Sequence, residues 1–167
     1  FIRFVEKMVT AFGPRVTEYI TINEPNVYAT NGYLFGLWPP GVKSMGRMLH
    51  VMSVLAEAHI VAYGLIHALQ TKMGVTGTRV SYANHVRAFA PENPKNPWHR
   101  FSARMAEKLF QGDLAKAMGV GKFSLAVSNL GHAPRGRYCD FIAINYYTRS
   151  TVTGFADGVR KHAPVND

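Results

Sequence analysis

A carboxyl group that works as an acid or base must be held still, and one residue in this sequence meets that demand locally. Glu24 follows Asn23 at the end of the run Val16 to Asn23 (VTEYITIN) and precedes Pro25. The run is rich in β-branched and aromatic residues and reads as a strand; proline cannot donate to a sheet ladder, so pairing ends there. Proline also biases the residue before it toward extended geometry, which predicts a stiff backbone beneath the Glu24 side chain at the strand's carboxyl end. Burial or a neighbouring carboxylate raises the pKa of a carboxyl group so placed, and the group can then protonate a leaving group. Taken as a single residue, Glu24 fits equally well as a surface carboxylate before a turn proline.

A second constellation lies far along the chain. Asp140 to Tyr147 (DFIAINYY) reads as a buried strand. Phe141, Ala143, Asn145 and Tyr147 share one face of it, so Asn145 and Tyr147 point the same way. Asn23 and Glu24, being adjacent, cannot do so on a regular strand. If both meet one ligand, the strand must bulge or twist sharply there, and an irregularity is predicted at Asn23 to Glu24. The remaining polar candidates carry less. His50, His59, His67, His85, His99, His132 and His162 include the spacing 50, 59, 67, which matches no compact zinc motif, and the single Cys139 completes none. Helix packing or solvent accounts for them, and no metal site is predicted. Ser53 and Ser81 lack the GxSxG elbow of a nucleophilic serine.

These residues need elements to hold them. Phe1, Ile2, Phe4, Val5, Met8, Val9 and Phe12 recur at three- and four-residue spacing and predict a helix stopped by Gly13-Pro14. After the Glu24 strand, Asn26 to Met45 mixes Gly32, Gly36, Pro39, Pro40 and Gly41 with Tyr28, Tyr33, Phe35 and Trp38, and reads as a long aromatic-lined loop. A helix from about Gly46 to Lys72 follows, then a short strand Arg79 to Ala83, a Pro-rich loop, and a helix from about Trp98 to Met118. Gly119 to Tyr138 is less determined, with a short strand conceivable at Phe123 to Val127. Helix and strand in alternation predict an α/β chain with parallel strands. Three strands cannot close a barrel, and a whole (β/α)8 barrel needs roughly 250 residues. A doubly wound sheet would fit the length, but neither GxGxxG nor GxxxxGK[ST] follows any strand.

Thr21-Ile22-Asn23-Glu24-Pro25, followed by Gly32-Tyr33 and Pro40-Gly41, resembles the central part of family 1 glycoside hydrolases, the β-glucosidase and 6-phospho-β-glycosidase family. Asp140 to Thr148 resembles that family's sixth-strand motif, and Leu55-Ala56-Glu57-Ala58-His59 stands where the family has its fourth helix. The resemblance runs from Phe1 to about Val152. It implies that residues 1–167 are a single incomplete segment of a (β/α)8 TIM barrel, from about helix 3 to strand 6. It further implies a retaining β-glycosidase that acts on β-glucosides or related sugars through two carboxylates, with no metal or cofactor. On that resemblance Glu24 matches the acid/base, and Asn23 matches the residue that hydrogen-bonds the sugar 2-hydroxyl. Asn145 and Tyr147 match sixth-strand residues near the nucleophile, where a tyrosine hydroxyl steadies a carboxylate. Asn84, just past the short strand, matches an active-site polar residue. Without the resemblance Tyr147 would be core packing and Asn84 a turn residue. The loop aromatics Tyr28, Tyr33, Phe35 and Trp38 could stack on sugars in an aglycone subsite or pack beneath the loop.

The sequence also departs from the family. Its nucleophile belongs to a seventh-strand TENG-type motif, which is not among these residues, nor are its glucose-binding tryptophan, third-strand histidine and early glutamine. Asp140, Asp157 and Asp167 lack the nucleophile's context and read as strand-start, turn and end residues. Ala143 stands where glycine is usual. Without a second carboxylate no glycosyl-enzyme forms, so this polypeptide alone is not expected to turn over a glycoside.

Composition sets the outer bounds. Hydrophobic residues make up 47% and charged residues 17%, which excludes acidic disordered and low-complexity classes. The net charge of +9 invites a nucleic-acid-binding reading, but the basic residues are dispersed and the densest stripe, Arg100, Arg104 and Lys108, suits a solvated helix face. Arg47, His50, Glu57, His59 and His67 interrupt Met45 to Met73, so no membrane span is expected. Phe1 opens directly into an apolar pattern with no signal-peptide pattern, and Cys139 can form no internal disulfide. An internal piece of a longer cytoplasmic polypeptide is the expectation, lacking its partner barrel segments. A non-catalytic carbohydrate-binding remnant is the alternative, and less so a basic nucleic-acid-binding domain. Unpaired strand edges would make such a piece prone to aggregate or dimerise.

Overall fold

The computed structural model describes residues 1–131 and 133–154, and the backbone of 159–163. His132, Asp157 and Asp167 lie outside the described residues, as does the side chain of His162.

Helix α1 (Ile2–Phe12) ends at the 3₁₀ turn Gly13–Arg15 and leads into strand β1 (Glu18–Asn23). Helix α3 (Met45–Lys72) follows a short helix α2 (Pro25–Ala29) that continues through a π-helical turn, Thr30–Leu34. Strand β2 (Arg79–Pro91) precedes α4 (Pro97–Glu107), a second π turn (Lys108–Gly112) and α5 (Asp113–Val120). Strands β3 (Ala143–Val152) and β4 (Val159–Ala163) complete a four-stranded sheet in the order β1-β2-β3-β4. The first three strands run parallel, and β4 returns antiparallel to β3. The β1-α3-β2-α4/α5-β3 alternation is that of consecutive β/α units.

Helix α3 covers the outer face of the arc. Met48, Met52 and Ala56 pack with Tyr82, Leu114, Ala117, Met118 and Val127 in one cluster; Ala62 and Ile66 pack with Val5, Val9 and Val80 in another. By length and apolar composition alone α3 could cross a membrane. Here its buried polar residues staple it to the sheet and loops. Ser44 caps its first turn, Ser53 accepts from the Ser128 amide at 2.9 Å, and the Gln70 amide donates to the Val16 carbonyl at 2.9 Å. In α1 only Val5 and Val9 are buried; Phe4, Met8 and Phe12, expected on the same apolar face, remain exposed because α1 meets α3 along a narrower stripe.

His59 shows how a buried polar group is settled. Its Nε2 lies 2.8 Å from the Tyr138 carbonyl, which can only accept, so Nε2 carries the hydrogen and Nδ1 accepts from the Thr21 hydroxyl at 2.7 Å. Burial drives its pKa down to about 4, against the opposing pull of the Tyr138 bond. An unfolded histidine titrates near 6.5, so the unfolded chain takes up a proton between pH 6.5 and about 4 that the folded chain refuses. Stability is therefore expected to fall as pH is lowered through that window, by about 3 kcal/mol from this group. Urea midpoints measured across the window test this: His59→Gln should show the shallower dependence, and equal slopes would contradict it.

Asp140 serves the fold. Its carboxylate accepts from the Val80 amide, the Tyr63 hydroxyl and His67 Nε2, each at 2.8 Å. Desolvation raises its pKa, but these hydrogen bonds and the His67 charge outweigh it and leave the group below its ordinary value.

Four expectations need correction. The loop after Glu24 is helical from Pro25 through Leu34, since proline is well placed at the first position of a helix. No strand forms at Phe123 to Val127: the Ser124 hydroxyl accepts from the Ala126 and Val127 amides and closes a turn instead. The last parallel strand begins at Ala143, beyond the Asp140 staple, and runs on to Val152 because β2 continues beside it. Strand β2 extends to Pro91, far past Ala83. Along its β1 side the backbone of His85 is met by the Asn26 side-chain amide, at 3.3 Å for the His85 N–H and 2.8 Å for its carbonyl. The Arg87 backbone is met likewise by Gln111, at 3.0 and 3.2 Å. Two side-chain amides thus take over the ladder where Pro25 ends β1.

Candidate active site

Glu24 sits at the carboxyl end of β1, where the Glu24 amide donates to the Ala83 carbonyl at 2.7 Å and its own carbonyl accepts the first amides of α2. The predicted irregularity is present. Ile20 pairs with Ser81 and Asn23 with Ala83, so β1 carries one residue more than β2 over this stretch. Glu24 itself is not extended, contrary to the expectation from Pro25; it adopts the left-handed conformation, φ 48° and ψ 54°. The reason is that α2 starts at Pro25, and the chain must turn from strand to helix within one residue. A non-glycine residue in this region is strained and needs surrounding structure to hold it.

The strain has a visible outcome: Asn23 and Glu24 reach one partner. Asn145 Nδ2 donates to Asn23 Oδ1 at 3.0 Å and to Glu24 Oε1 at 2.8 Å. Tyr147, two residues along the same face of β3, donates its phenolic hydrogen to the Glu24 carboxylate. That bond, then desolvation, then the carboxylate's charge, raise the Tyr147 pKa. Asn23, Glu24, Asn145 and Tyr147 are therefore brought together.

Asn84 is not. Strand alternation turns it to the other face, where it is buried and lines a smaller cavity with Tyr82, Val86 and Ala115. His85 takes the expected place: its Nδ1 lies 3.7 Å from Glu24 Oε1, and its ring packs 5.0 Å from that of Tyr147. Burial lowers the His85 pKa, and the Arg87 charge adds to this while Glu24 opposes it. The signal that would have found His85 is the alternation His85, Arg87, Phe89, legible only once β2 is known to reach Pro91.

A cavity of about 650 Å³ opens beside Glu24. Phe35 and Trp38 line it, whereas Tyr28 and Tyr33 do not; these two meet edge to face at 5.9 Å, and Tyr33 packs on the core. Among the described residues no group of three His, Cys, Asp or Glu side chains could hold a metal.

An arc of parallel β/α units with a carboxylate at the carboxyl ends of its strands is part of a (β/α)8 barrel. The sequence profile of glycosyl hydrolase family 1 matches residues 1–164, and the chain belongs to that family. It is 24% identical to a 6-phospho-beta-galactosidase of Clostridium acetobutylicum, covering 97% of this chain and 37% of that protein. It is 32% identical to Beta-glucosidase 17 of Arabidopsis thaliana, covering 89% and 32% respectively. The solved beta-glycosidase from Pyrococcus horikoshii superposes with a TM-score of 0.73 at 26% identity, over 97% of this chain and 37% of that one. The chain thus spans about a third of the length of such relatives.

Proposed function

We propose that this chain carries the acid/base side of a retaining β-glycosidase acting on β-glucosides or related sugars. Glu24 protonates the glycosidic oxygen as the bond breaks and, as the carboxylate, takes a proton from the water that releases the sugar. Asn23 holds the sugar 2-hydroxyl, and Asn145 and Tyr147 fix the rotamer of the Glu24 carboxylate. The observation that carries this reading is the forked hydrogen bond from Asn145 to both Asn23 and Glu24. It aligns two neighbours that a regular strand would send to opposite faces. The nucleophile comes from outside these residues, and for retention its carboxyl group must stand roughly 5 to 5.5 Å from that of Glu24. No metal, cofactor, nucleic acid or membrane enters the reaction.

The test is the stereochemistry of turnover. A full-length polypeptide carrying this chain should release the β-anomer first from an aryl β-glucoside, followed by NMR, while the 167-residue chain alone should release none. First release of the α-anomer, or turnover by the chain alone, would defeat the proposal. Sugar binding without hydrolysis by the full-length polypeptide would favour a carbohydrate-binding remnant instead.

A further inference from the structure

Arg87 shares the cavity with Glu24 but forms no ion pair with it or with any other described carboxylate. It lies on the face of β2 that also presents His85 and Phe89, and all three line the cavity. Its guanidinium stacks over the Phe110 ring, 4.7 Å from the centroid, and Nη2 stands 3.3 Å from His85 Nε2. The Nε atom is buried with no hydrogen-bond partner. None of the ion pairs among the described residues includes Arg87. Burial lowers its pKa from the ordinary value, yet a guanidinium stays protonated in proteins. The side chain is half-buried, so its charge is partly withdrawn from water with no paired carboxylate among the described residues, and a ligand that brings one would be favoured there.

The surroundings say what else that ligand contains. Leu34, Phe35, Trp38, Leu109 and Phe110 make the walls largely apolar and aromatic. The volume, about 650 Å³, is that of a small-molecule site. Among the described residues Arg87 is the one Lys or Arg in the lining, and a planar guanidinium matches one planar carboxylate; no other described Lys or Arg there supplies the further charge that a phosphate dianion would ask for. We propose that this cavity is an aglycone subsite for glycosides whose apolar or aromatic aglycone carries a carboxylate, with Arg87 pairing to that carboxylate. The proposal rests on the glycosidase reading and adds the substrate class.

The experiment compares 4-carboxyphenyl β-D-glucopyranoside with its methyl ester, in the full-length polypeptide carrying this chain. The two differ in charge at the end remote from the scissile bond. The wild-type kcat/KM ratio, acid over ester, should exceed unity and decline with added salt. In Arg87→Gln that ratio should fall about ten- to a hundredfold, the range for a hydrogen-bonded charge, and Arg87→Lys should restore part of it. A wild-type ratio near one overturns the proposal without any variant, and so does an equal ratio in wild type and Arg87→Gln. If the wild type hydrolyses neither compound, the glycosidase reading has failed separately. Calorimetric binding of the acid then decides the subsite: tighter binding of acid than ester, lost in Arg87→Gln, supports it, and no discrimination overturns it.

Discussion

Glu24→Gln, in a full-length polypeptide carrying this chain, is expected to lower kcat/KM about 10²- to 10⁴-fold for alkyl glucosides, whose leaving groups need a proton. For 2,4-dinitrophenyl β-glucoside the loss in kcat/KM should be small, because that leaving group departs as a stable anion. Glutamine suits the test because its amide oxygen can still accept from Asn145 Nδ2, which now bonds Glu24 Oε1 at 2.8 Å, so position is kept and only the transferable proton is lost. The second step should suffer for every substrate, since water then lacks its base. An added anion such as azide needs no deprotonation and should restore kcat on the activated substrate as a glycosyl azide. Equal loss on both substrate types would remove Glu24 from the acid role and leave it a structural residue.

Asn26→Ala is the stability change with the largest expected effect. Asn26 is fully buried, and its amide closes both hydrogen bonds to the His85 backbone where β1 can no longer do so. In a parallel sheet both backbone groups of His85 point to the same neighbour, and alanine would leave both unpaired. At about 1 to 3 kcal/mol per orphaned group, the expected loss is about 4 kcal/mol, a large share of a domain's stability of about 5 to 15 kcal/mol. Asn26→Asp should not rescue it, because the carboxylate would set an oxygen against the His85 carbonyl. Urea unfolding measures the loss, and amide exchange at His85 gives it a position: protection should drop there first. A loss under about 1 kcal/mol would mean that water replaces the amide and that β2 beyond Ala83 needs no such cap.

The two changes probe different parts of one arrangement. Glu24 is placed by the strand-to-helix turn, while His85 and Arg87 are placed by an extension of β2 that pairs with β3 on one side and is supported by side chains on the other. Loss of Asn26 should therefore reach the cavity through His85, and activity should decline with stability. Glu24→Gln should leave the urea midpoint nearly unchanged.

What could be read in advance follows from chain-local stereochemistry. Pro25 ends β1, adjacency keeps Asn23 and Glu24 from one face of a regular strand, and period-two alternation pairs Asn145 with Tyr147; each is a property of neighbouring residues, and the irregularity deduced from them is present. The family likewise was carried by short contiguous motifs, and the profile match over residues 1–164 bears it out. The left-handed turn at Glu24, the length of β2, the exchange of Asn84 for His85 beside Glu24, and the pairing of β4 with β3 were not legible. They depend on partners distant in sequence: Asn26 and Gln111 supply the hydrogen bonds that Arg79 to Pro91 cannot announce by composition. How far a strand runs is set by whatever satisfies its backbone groups, and on the β1 side of β2 those groups come from a helix and a π turn brought alongside by packing.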